Sequence, residues 1–221
     1  MNHQPTVFLV DPDGSTRDAV SKLTSLMDVH CRAFTSGQEF LDALDPGEPG
    51  CIVMEIKVPG INGLQIQQRL RDQAAPLPII FISAAPSVSI AVHAMRAGAL
   101  HFLEKPVREN DLWSVIQEAI QLDQHRREAQ QQQAAIDERI GTLTEKEYAV
   151  LEMIADGRAK RSIATELRVS VRTVEHHRTQ LMRKLQTNSV AGLMQFALSK
   201  KNGHRPVDGA ASNYRLMGMN R

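Results

Sequence analysis

The chain has 221 residues, 42% of them hydrophobic, and its charges nearly cancel to a formal net charge of +1. That length exceeds one typical domain, and the balanced charge excludes a chain that binds nucleic acid or membrane along its whole length as a polycation. No apolar run approaches the ~18 residues that span a bilayer, and the first residues lack a basic start followed by an apolar core, so we expect a soluble, cytoplasmic protein of two domains.

Residues 1–120 alternate short apolar runs with amphipathic stretches. Helix starts of the capping-box kind are predicted at Ser15 with Asp18 and at Ser36 with Glu39. Strands that alternate with helices imply a parallel sheet covered on both faces. We therefore predict a five-stranded, doubly wound α/β domain, with strands at TVFLVD (6–11), CRAF (31–34), CIVME (51–55), LPIIFIS (77–83) and ALHFLE (99–104).

Charged and hydroxyl side chains stand at the points where these strands end. Each one alone has a structural explanation, because aspartates favour turns and serines cap helices. Together they are harder to explain that way, since the carboxyl ends of parallel strands meet in one functional crevice. Acidic groups, a hydroxyl and an ammonium that converge there suit a divalent cation and a phosphoryl group. The predicted pocket residues are Asp11, Asp13, Glu55, Ser83 and Lys105.

Two segments lie outside the predicted domains. Residues 121–139 read QLDQHRREAQQQQAAIDER, with high helix propensity, no glycine or proline and few apolar residues. This composition favours a solvated helical linker that continues the last helix of the first domain, and a flexible glutamine-rich linker is the alternative. Residues 200–221 lack periodicity and are predicted to form a disordered tail.

Residues 140–199 predict a second, all-α domain. Thr144 and Glu147 form a capping box before a first helix, which Gly157 ends. A short second helix, a turn, a third helix with Ser170 as its N-cap and a fourth helix over about residues 190–198 follow. Helix, short helix, turn and helix make a four-helix domain with a helix-turn-helix arrangement.

Basic residues concentrate in this second domain. Residues 158–184 contain eight basic side chains against two acidic ones. On a helical wheel of the third helix, Val174, Leu181 and Leu185 share one face. The opposite face is polar and basic, as a helix that enters the major groove of DNA requires. The residues of that face are Arg172, His176, Thr179 and Arg183.

The sequence gives little support for a bound metal. Cys31 and Cys51 lack metal-ligand spacing and are too few for a disulfide framework, so we expect reduced, buried thiols. His176 and His177 are adjacent, and neighbours on a helix point about 100° apart. No third ligand is evident beside them, so we predict no metal site there.

The motifs FLVDPD, GCIVMEIKVPGINGL, LPIIFIS and AVHAMRAGALHFLEKPV resemble the receiver domain of bacterial two-component response regulators, particularly its FixJ-like branch. The resemblance covers about residues 5–120. It implies an aspartate at the end of the third strand that a histidine kinase phosphorylates, and an acidic pair that binds magnesium. It also implies a Ser or Thr and a Lys that sense the phosphoryl group, here Ser83 and Lys105, and a reorienting aromatic residue, here Phe102.

Two positions depart from the pattern of that family. Glu55 stands at the phosphoacceptor position, and Pro12 after Asp11 replaces one acidic magnesium ligand. Asp13 would compensate only if the turn rearranged, and AAPS (84–87) replaces the family's Gly-His-Gly-Asp stretch. A misplacement of about 1 Å costs ~100-fold in rate. We therefore predict no phosphorylation of Glu55 and no cofactor, since Pro12 weakens the magnesium site.

Two interpretations of Glu55 stay open. In one, its carboxylate pairs with Lys105 and holds the domain in an active-like arrangement, as a partial mimic of the phosphorylated state. In the other, Glu55 is a remnant with no effect on activity, and the domain is controlled by dimerisation, a protein partner or a small ligand. A carboxylate lacks the second charge and the third oxygen of a phosphoryl group, so the sequence does not decide between them.

Residues 142–198 resemble the LuxR-type helix-turn-helix of NarL/FixJ-family regulators, through LTEKEYAVLEMIADG, IATEL, VSVRTVEHH and LMRKL. The resemblance places the recognition helix at 171–185 and dimerisation mainly on the last helix. Lys160 and Arg161 replace the usual Asn-Lys and keep charge for the DNA backbone, while Glu175 accepts from a cytosine amino group or points aside. The predicted DNA-binding residues are Lys160, Arg161, Arg172, Thr173, Glu175, His176, Arg178, Thr179 and Arg183, and the predicted dimer seam is Leu193, Met194 and Ala197.

These features together predict a sequence-specific transcription regulator, not an enzyme, that binds double-stranded DNA as a homodimer and acts independently of phosphorylation. Two alternatives stay open. One is a response regulator phosphorylated by a non-standard route, such as a rearranged Asp13, and the other is an interaction protein whose first domain docks a partner. A hydrolytic enzyme is the weakest hypothesis, because Pro12 damages the cation site and no substrate pocket is evident.

Overall fold

The computed structural model describes residues 4–71, 77–85 and 87–203, with side chains described as far as residue 198. Its contacts divide the chain into two compact units, residues 1–129 and 130–221. Within the described part of the chain, no helix is both long enough and apolar enough to cross a membrane.

The first unit is a five-stranded parallel sheet with helices on both faces. Its strands are β1 (Thr6–Val10), β2 (His30–Phe34), β3 (Gly50–Glu55), β4 (Ile79–Ser83) and β5 (His101–Glu104). Its helices are α1 (Gly14–Leu26), α2 (Gly37–Ala43), α3 (Gly63–Arg71), α4 (Val88–Arg96) and α5 (Glu109–Gly141). The strand order is β2-β1-β3-β4-β5, and every pair is parallel. The predicted doubly wound fold is confirmed.

The order of the strands brings the predicted pocket residues to one place. The chain changes direction across the sheet between β1 and β3, which are neighbours. Val10 pairs with Met54, so the residues that follow them, Asp11 and Glu55, lie side by side. Such a reversal opens a crevice at the carboxyl edge of the sheet. The topology therefore places the strand-end side chains around that crevice.

Two apolar layers cover the two faces of the sheet. Alternate side chains of each strand point into opposite layers, which is why unalternated runs such as IIFI are buried on both sides. One layer lies against α2 and α3 and includes Phe8, Phe40, Ile66 and Phe81. The other lies against α1 and α5 and includes Val7, Val20, Leu112 and Ile116.

The two cysteines are free thiols in the second of these layers. Cys51 is fully buried and Cys31 is half-buried, so the predicted reduced thiols are confirmed, with Cys31 less buried than expected. Burial raises the pKa of both thiols, which keeps them protonated at neutral pH.

The start of α1 differs from its prediction. Asp13, not Ser15, is the N-cap, and its carboxylate accepts from the amides of Ser15 and Thr16 at 3.3 and 3.1 Å. Aspartate and serine are equally good N-caps, so their order in the sequence does not decide which of them begins the helix. The predicted start at Ser36 is confirmed, because its hydroxyl accepts from the amide of Glu39.

The helix α5 is 33 residues long and passes through the whole predicted linker, residues 121–139. The helical linker is confirmed, and the flexible alternative is wrong. Beyond the apolar first part of α5 lies the buried Asp123. Its carboxylate accepts hydrogen bonds from the amide of Gly50 at 2.9 Å and from Nε of Arg127 at 2.8 Å. These bonds attach α5 to the start of β3.

The second unit is all-helical around its own core, which includes Leu151, Ile163 and Leu181. Its further helices are α6 (Glu145–Ala155), α7 (Lys160–Glu166), α8 (Val171–Lys184) and α9 (Val190–Gly203). The predicted capping box of Thr144 with Glu147 is confirmed, and so is Ser170 as the N-cap of α8. Of the predicted tail, residues 200–203 belong to α9, and residues 204–221 lie outside the described part of the chain.

Candidate functional sites

Lys105 joins two buried carboxylates at the carboxyl edge of the sheet. Its Nζ lies 2.5 Å from Oδ2 of Asp11 and 3.2 Å from Oε2 of Glu55. Asp11 is 0% exposed and Glu55 is 6% exposed, so water contributes little to their solvation. Buried ion pairs persist only where the remaining oxygens also find donors. Those donors come from the adjoining loops.

The carboxylate of Glu55 turns back onto the main chain. Its Oε1 accepts from the amides of Ile56 and Lys57 at 2.7 and 3.2 Å. Its Oε2 faces Lys105 and also accepts from the amide of Ala84 at 3.3 Å. Three backbone N–H groups and one ammonium therefore surround a single carboxylate. Such a set of converging donors favours a negatively charged group and fixes its position.

The two aspartates after β1 have different roles. Oδ1 of Asp11 accepts from the amide of Asp13 at 2.9 Å, while Oδ2 of Asp11 faces Lys105. Asp13 is exposed and caps α1, and the hydroxyls of Thr16 and Ser15 each donate to it at 2.7 Å. Those hydroxyls hold the pKa of Asp13 well below its usual range. The Asp13 carboxylate therefore caps α1 and, with Lys105, also lines a cavity beside that helix, and its role in a pocket stays a prediction.

These side chains do not fit the magnesium ion that the receiver resemblance implies. Magnesium requires a near-octahedral set of oxygens, usually one or two carboxylates with water. The oxygens of Asp11 and Glu55 already face backbone amides and an ammonium, and Asp13 caps a helix. Across the described ranges, no three His, Cys, Asp or Glu side chains are grouped to hold a metal.

Ser83 lies next to a residue of this site, and Phe102 lies in β5, the strand that precedes Lys105. Ser83 ends β4 at 2% exposure and precedes Ala84, whose amide contacts Glu55. Phe102 is half-buried in β5 and pairs in register with Phe81, with their ring centroids 6.3 Å apart. Phe102 thus packs against the aromatic layer of the sheet, and its reorientation stays a prediction.

The helix α8 has the two faces that the helical wheel predicts. Val174, Leu181 and Leu185 are at most 2% exposed and pack in the core of the second unit. Thr173 and Arg178 are half-buried at the boundary. The exposed members of the predicted DNA-binding set are Lys160, Arg161, Arg172, Glu175, His176, Thr179 and Arg183. Their contacts with DNA stay predictions.

Glu175 pairs with Lys160 in the free chain. Its Oε1 accepts from Nζ of Lys160 at 2.7 Å, and this bond, together with the charge of the lysine, holds the pKa of Glu175 below its usual range. Both side chains are about half exposed. In the free chain Glu175 is therefore paired with another member of the predicted DNA-binding set, and its orientation towards DNA stays a prediction.

Lys184 contributes to the packing of the second unit, which its sequence position does not reveal. Its Nζ lies 2.6 Å from Oε2 of Glu147 and 3.0 Å from the carbonyl oxygen of Thr142. Burial favours the neutral form of Glu147, but hydrogen bonds from Lys184 and Thr144 outweigh it and hold the pKa of Glu147 below its usual range. A count of basic residues along α8 cannot separate Lys184 from the exposed basic residues Arg172 and Arg183.

The predicted dimer seam on α9 is largely inside the second unit. Leu193 is 0% exposed and Ala197 is 7% exposed, and both pack in the unit's own core. Met194 is half-buried. The apolar stripe of α9 packs against α6 in the core of the unit, so the structure does not support Leu193 and Ala197 as residues that meet another chain. Leu198 is the exposed large apolar residue of α9, at 52%.

Two family models match the chain. The response regulator receiver domain matches residues 7–117, and the luxR family of bacterial regulatory proteins matches residues 141–197. A receiver followed by this helix-turn-helix defines a two-component response regulator with a DNA-binding domain. The chain belongs to the NarL/FixJ family of response regulators.

Full-length relatives support this assignment. Transcriptional regulatory protein TdiR of Thauera aromatica is 32% identical over 211 residues, which cover 93% of each chain. Transcriptional regulatory protein FixJ of Bradyrhizobium diazoefficiens is 32% identical, covering 87% of this chain and 94% of its own. The solved structure of response regulator StyR is 34% identical, with a TM-score of 0.81, and covers 88% of this chain and 98% of that one. Full-length FixJ from B. japonicum is 31% identical, with a TM-score of 0.55, 90% coverage of this chain and 98% of that one.

Proposed function

We propose that the protein is a sequence-specific, DNA-binding transcription regulator whose receiver works without phosphorylation at residue 55. Family membership establishes the receiver and the helix-turn-helix. What we add is that the receiver is held in one arrangement without a phosphoryl group. The observation that carries it is the position of Glu55, whose two oxygens together face three backbone amides and Lys105.

A phosphoacceptor needs an oxygen placed in line with the phosphorus atom and a cation that neutralises the transferred group. Both oxygens of Glu55 accept hydrogen bonds, and the carboxylate of Asp11 is engaged by Lys105. We infer that Lys105 supplies the positive charge at this site and that Glu55 holds the ammonium of Lys105 as a phosphoryl group would. The receiver then stays in one arrangement, and no phosphodonor is needed.

The DNA-binding part of the proposal depends on the exposed face of α8. Phosphate contacts from Lys160 and Arg161 would supply most of the affinity, while Arg172, Thr179 and Arg183 reach base edges and supply the discrimination. We also propose that the protein binds DNA as a homodimer in the cytoplasm and that it catalyses no reaction.

A protein partner at the receiver is a second proposal, favoured by one observation. A cavity of 470 Å³ lies between α1 and the start of α5, with Val20, Leu23 and Leu112 in its wall. Its size and apolar lining are those of sites that accept a ligand or a partner's side chain. Lys105 also lines it, so an occupant there would act directly on the residue that holds Glu55.

Intact mass spectrometry tests the main proposal. The full-length protein, a Glu55→Asp variant and a Glu104→Asp control are each incubated with acetyl phosphate and Mg²⁺. We expect no added phosphoryl group on the parent protein or on the control, whose exposed Glu104 ends β5. A gain by Glu55→Asp alone would support Glu55 as the residue that blocks transfer.

The other outcomes are equally informative. If Glu55→Asp gains nothing either, the cation site is also inactive, which still supports independence from phosphorylation. A phosphoryl group on the parent protein contradicts the proposal. The same incubation of Asp13→Asn would then show whether Asp13 is the non-standard acceptor.

A further inference from the structure

Three cationic side chains line one small cavity of the second unit. The cavity has a volume of 160 Å³, and Arg158, Lys160 and Arg178 contribute to its wall. These three residues are called the cation cluster below. The rest of the lining is largely apolar and comes from the helices α6 to α9, through Ile154, Ile163, Val174, Val190 and Met194. The apolar lining supplies no counter-charge, so any carboxylate that pairs with the cation cluster lies outside the cavity wall.

Two carboxylates of the same unit supply anions in the free chain. Glu166, the last residue of α7, pairs with Arg158, and Glu175 of α8 pairs with Lys160 at 2.7 Å. The four side chains are between 40% and 52% exposed. Ion pairs as exposed as these are weak, because water and salt screen them. Another anion can therefore replace either carboxylate.

We propose that Glu166 and Glu175 compete with DNA backbone phosphates for the cation cluster and so weaken binding to DNA that is not the operator. The inference rests on the proposed DNA-binding function. Two members of the cation cluster, Lys160 and Arg178, belong to the predicted DNA-binding set, and Arg158 is an addition to it. By lowering the affinity for any phosphate backbone, Glu166 and Glu175 limit non-specific binding, and Glu175, which stands on α8, also contributes to specificity.

The physical basis is the similarity of the two anions. Carboxylate and phosphate oxygens accept the same hydrogen bonds from guanidinium and ammonium groups. When a phosphate replaces Glu175 on Lys160, the freed carboxylate attracts a cation from solution, so fewer counter-ions are released in total. Counter-ion release is the main source of non-specific affinity. Because fewer counter-ions are released, the affinity for every DNA sequence is lower.

Binding to operator DNA can regain part of the lost affinity. The carboxylate of Glu175, once freed from Lys160, stands on the recognition helix, where it can accept from the amino group of a cytosine in the major groove. Random DNA presents no such base at a fixed position. The competition therefore lowers binding to random DNA more than binding to the operator.

Affinity of the full-length protein for a random-sequence duplex, measured over a range of salt, tests the inference. Glu166→Gln and Glu175→Gln keep the shape of each side chain and remove its charge. We expect each variant to bind about two- to five-fold more tightly at low salt. The slope of log affinity against log salt concentration should become steeper by up to about one. Glu152→Gln is the matched control, since it removes the same charge from an exposed site on α6 outside the cation cluster.

A double-mutant cycle separates local competition from a general loss of negative charge. In a Lys160→Gln background, Glu175→Gln should raise the affinity less, because the cation that pairs directly with Glu175 is gone and only the weaker influence of Arg178 remains. Equal gains in both backgrounds, or an equal gain from Glu152→Gln, would overturn the inference.

The role in specificity has its own measurement. A duplex selected by the parent protein from a random library serves as the operator, and the ratio of operator to random-duplex affinity should fall in Glu175→Gln. An unchanged ratio contradicts the specificity role while the proposed function stands. If the parent protein binds no duplex at about 50 mM salt, where phosphate contacts are strong, the proposed function itself fails and the inference fails with it.

Discussion

The ammonium of Lys105 forms ion pairs with two buried carboxylates, those of Asp11 and Glu55. Removing the ammonium leaves both carboxylates buried without their cation, and breaking a buried pair from one side costs about 3–5 kcal/mol. We expect Lys105→Met to lower the free energy of unfolding of the first unit by about that amount. Urea unfolding followed by the fluorescence of Trp113, the only tryptophan in the sequence, measures it.

The control for this change is Lys57→Met, which removes an exposed ammonium just after β3. We expect it to alter the free energy of unfolding by about 0.5 kcal/mol or less. Adding Asp11→Asn to Lys105→Met should restore part of the loss, because one of the two unpaired charges is removed. If Lys105→Met is no more destabilising than Lys57→Met, the ion pair does not stabilise the site. The proposal that Glu55 and Lys105 hold the receiver in one arrangement then loses its support.

Glu147 makes the stability of the second unit depend on pH. Burial favours its neutral form, but the bonds from Lys184 and Thr144 outweigh burial and hold its pKa below the usual value of about 4.3. A carboxyl whose pKa is depressed by folding contributes stability that is complete above the unfolded pKa and is lost as the pH falls through the folded pKa. We expect the stability advantage of the parent over Glu147→Gln to be constant above about pH 5 and to shrink below about pH 4.

NMR signals of amides in α6 and α8, followed during urea unfolding at several pH values, measure that advantage. Glu152→Gln, an exposed change on the same helix, is the control and should show no loss of advantage in this range. An advantage of Glu147 that stays constant down to pH 3 would mean that its bonds to Lys184 and Thr144 do not favour the charged form.

At the scale of elements, α5 is attached to the sheet by polar contacts as well as by its apolar start. Asp123 is 4% exposed and accepts from the amide of Gly50, while Arg127 donates to the carbonyl oxygens of Gly47 and Glu48 at 2.9 and 2.8 Å. Asp123→Ala leaves the Gly50 amide and the Arg127 guanidinium without this acceptor. A buried donor left unsatisfied costs about 1–3 kcal/mol.

We therefore expect Asp123→Ala to destabilise the first unit by about 1–3 kcal/mol and to speed hydrogen exchange of the Gly50 amide and of α5 near residues 121–129. Mass-spectrometric hydrogen exchange on the full chain measures the local effect. Asp137→Ala is the control on the same helix, because Asp137 is exposed and accepts a hydrogen bond from the nearby surface residue Gln133. Equal exchange in both variants would show that Asp123 does not anchor α5.

The sequence predicts the elements better than it predicts which residue makes which contact. Asp11, Glu55 and Lys105 could be placed together because the carboxyl ends of parallel strands share one edge. Asp13 could not be assigned, since an aspartate after a strand caps a helix as readily as it binds a cation. Leu193 and Ala197 form a real apolar stripe, but periodicity does not tell whether that stripe covers the same unit or another chain.

At the scale of the whole molecule, the likeness to known regulators extends over both units. TdiR matches over 93% of its own length, and the family models cover the receiver and the helix-turn-helix separately. The fold of each unit follows that likeness closely, whereas the contacts that Glu55 and Lys105 make at the carboxyl edge are known from this chain alone. The input of this regulator therefore has to be worked out from its own contacts.

DNA binding by the full-length protein should not respond to a phosphodonor. In a regulator switched by phosphorylation, a new charge at residue 55 would alter the contacts of Lys105 and shift the protein between two states. Here Lys105 already lies between Asp11 and Glu55, and both oxygens of Glu55 have donors. On the proposed function, we therefore expect acetyl phosphate to select no other state. We expect footprints and dissociation constants on a selected duplex to agree within about two-fold with and without acetyl phosphate and Mg²⁺, a difference below 0.5 kcal/mol.

The Glu55→Gln variant makes this comparison sharper. The amide keeps the length of the side chain but removes the negative charge that Lys105 faces, so a receiver held by that charge should release its arrangement. We expect weaker DNA binding by Glu55→Gln at equal folded concentration, whereas Glu104→Gln, an exposed change on β5, should leave binding unaltered. Unaltered binding by both variants would mean that DNA binding does not depend on the charge of Glu55, and control would then have to enter through a partner or through dimerisation. Tighter binding of the parent protein after acetyl phosphate would instead show that a phosphorylated state exists and that Glu55 does not replace it.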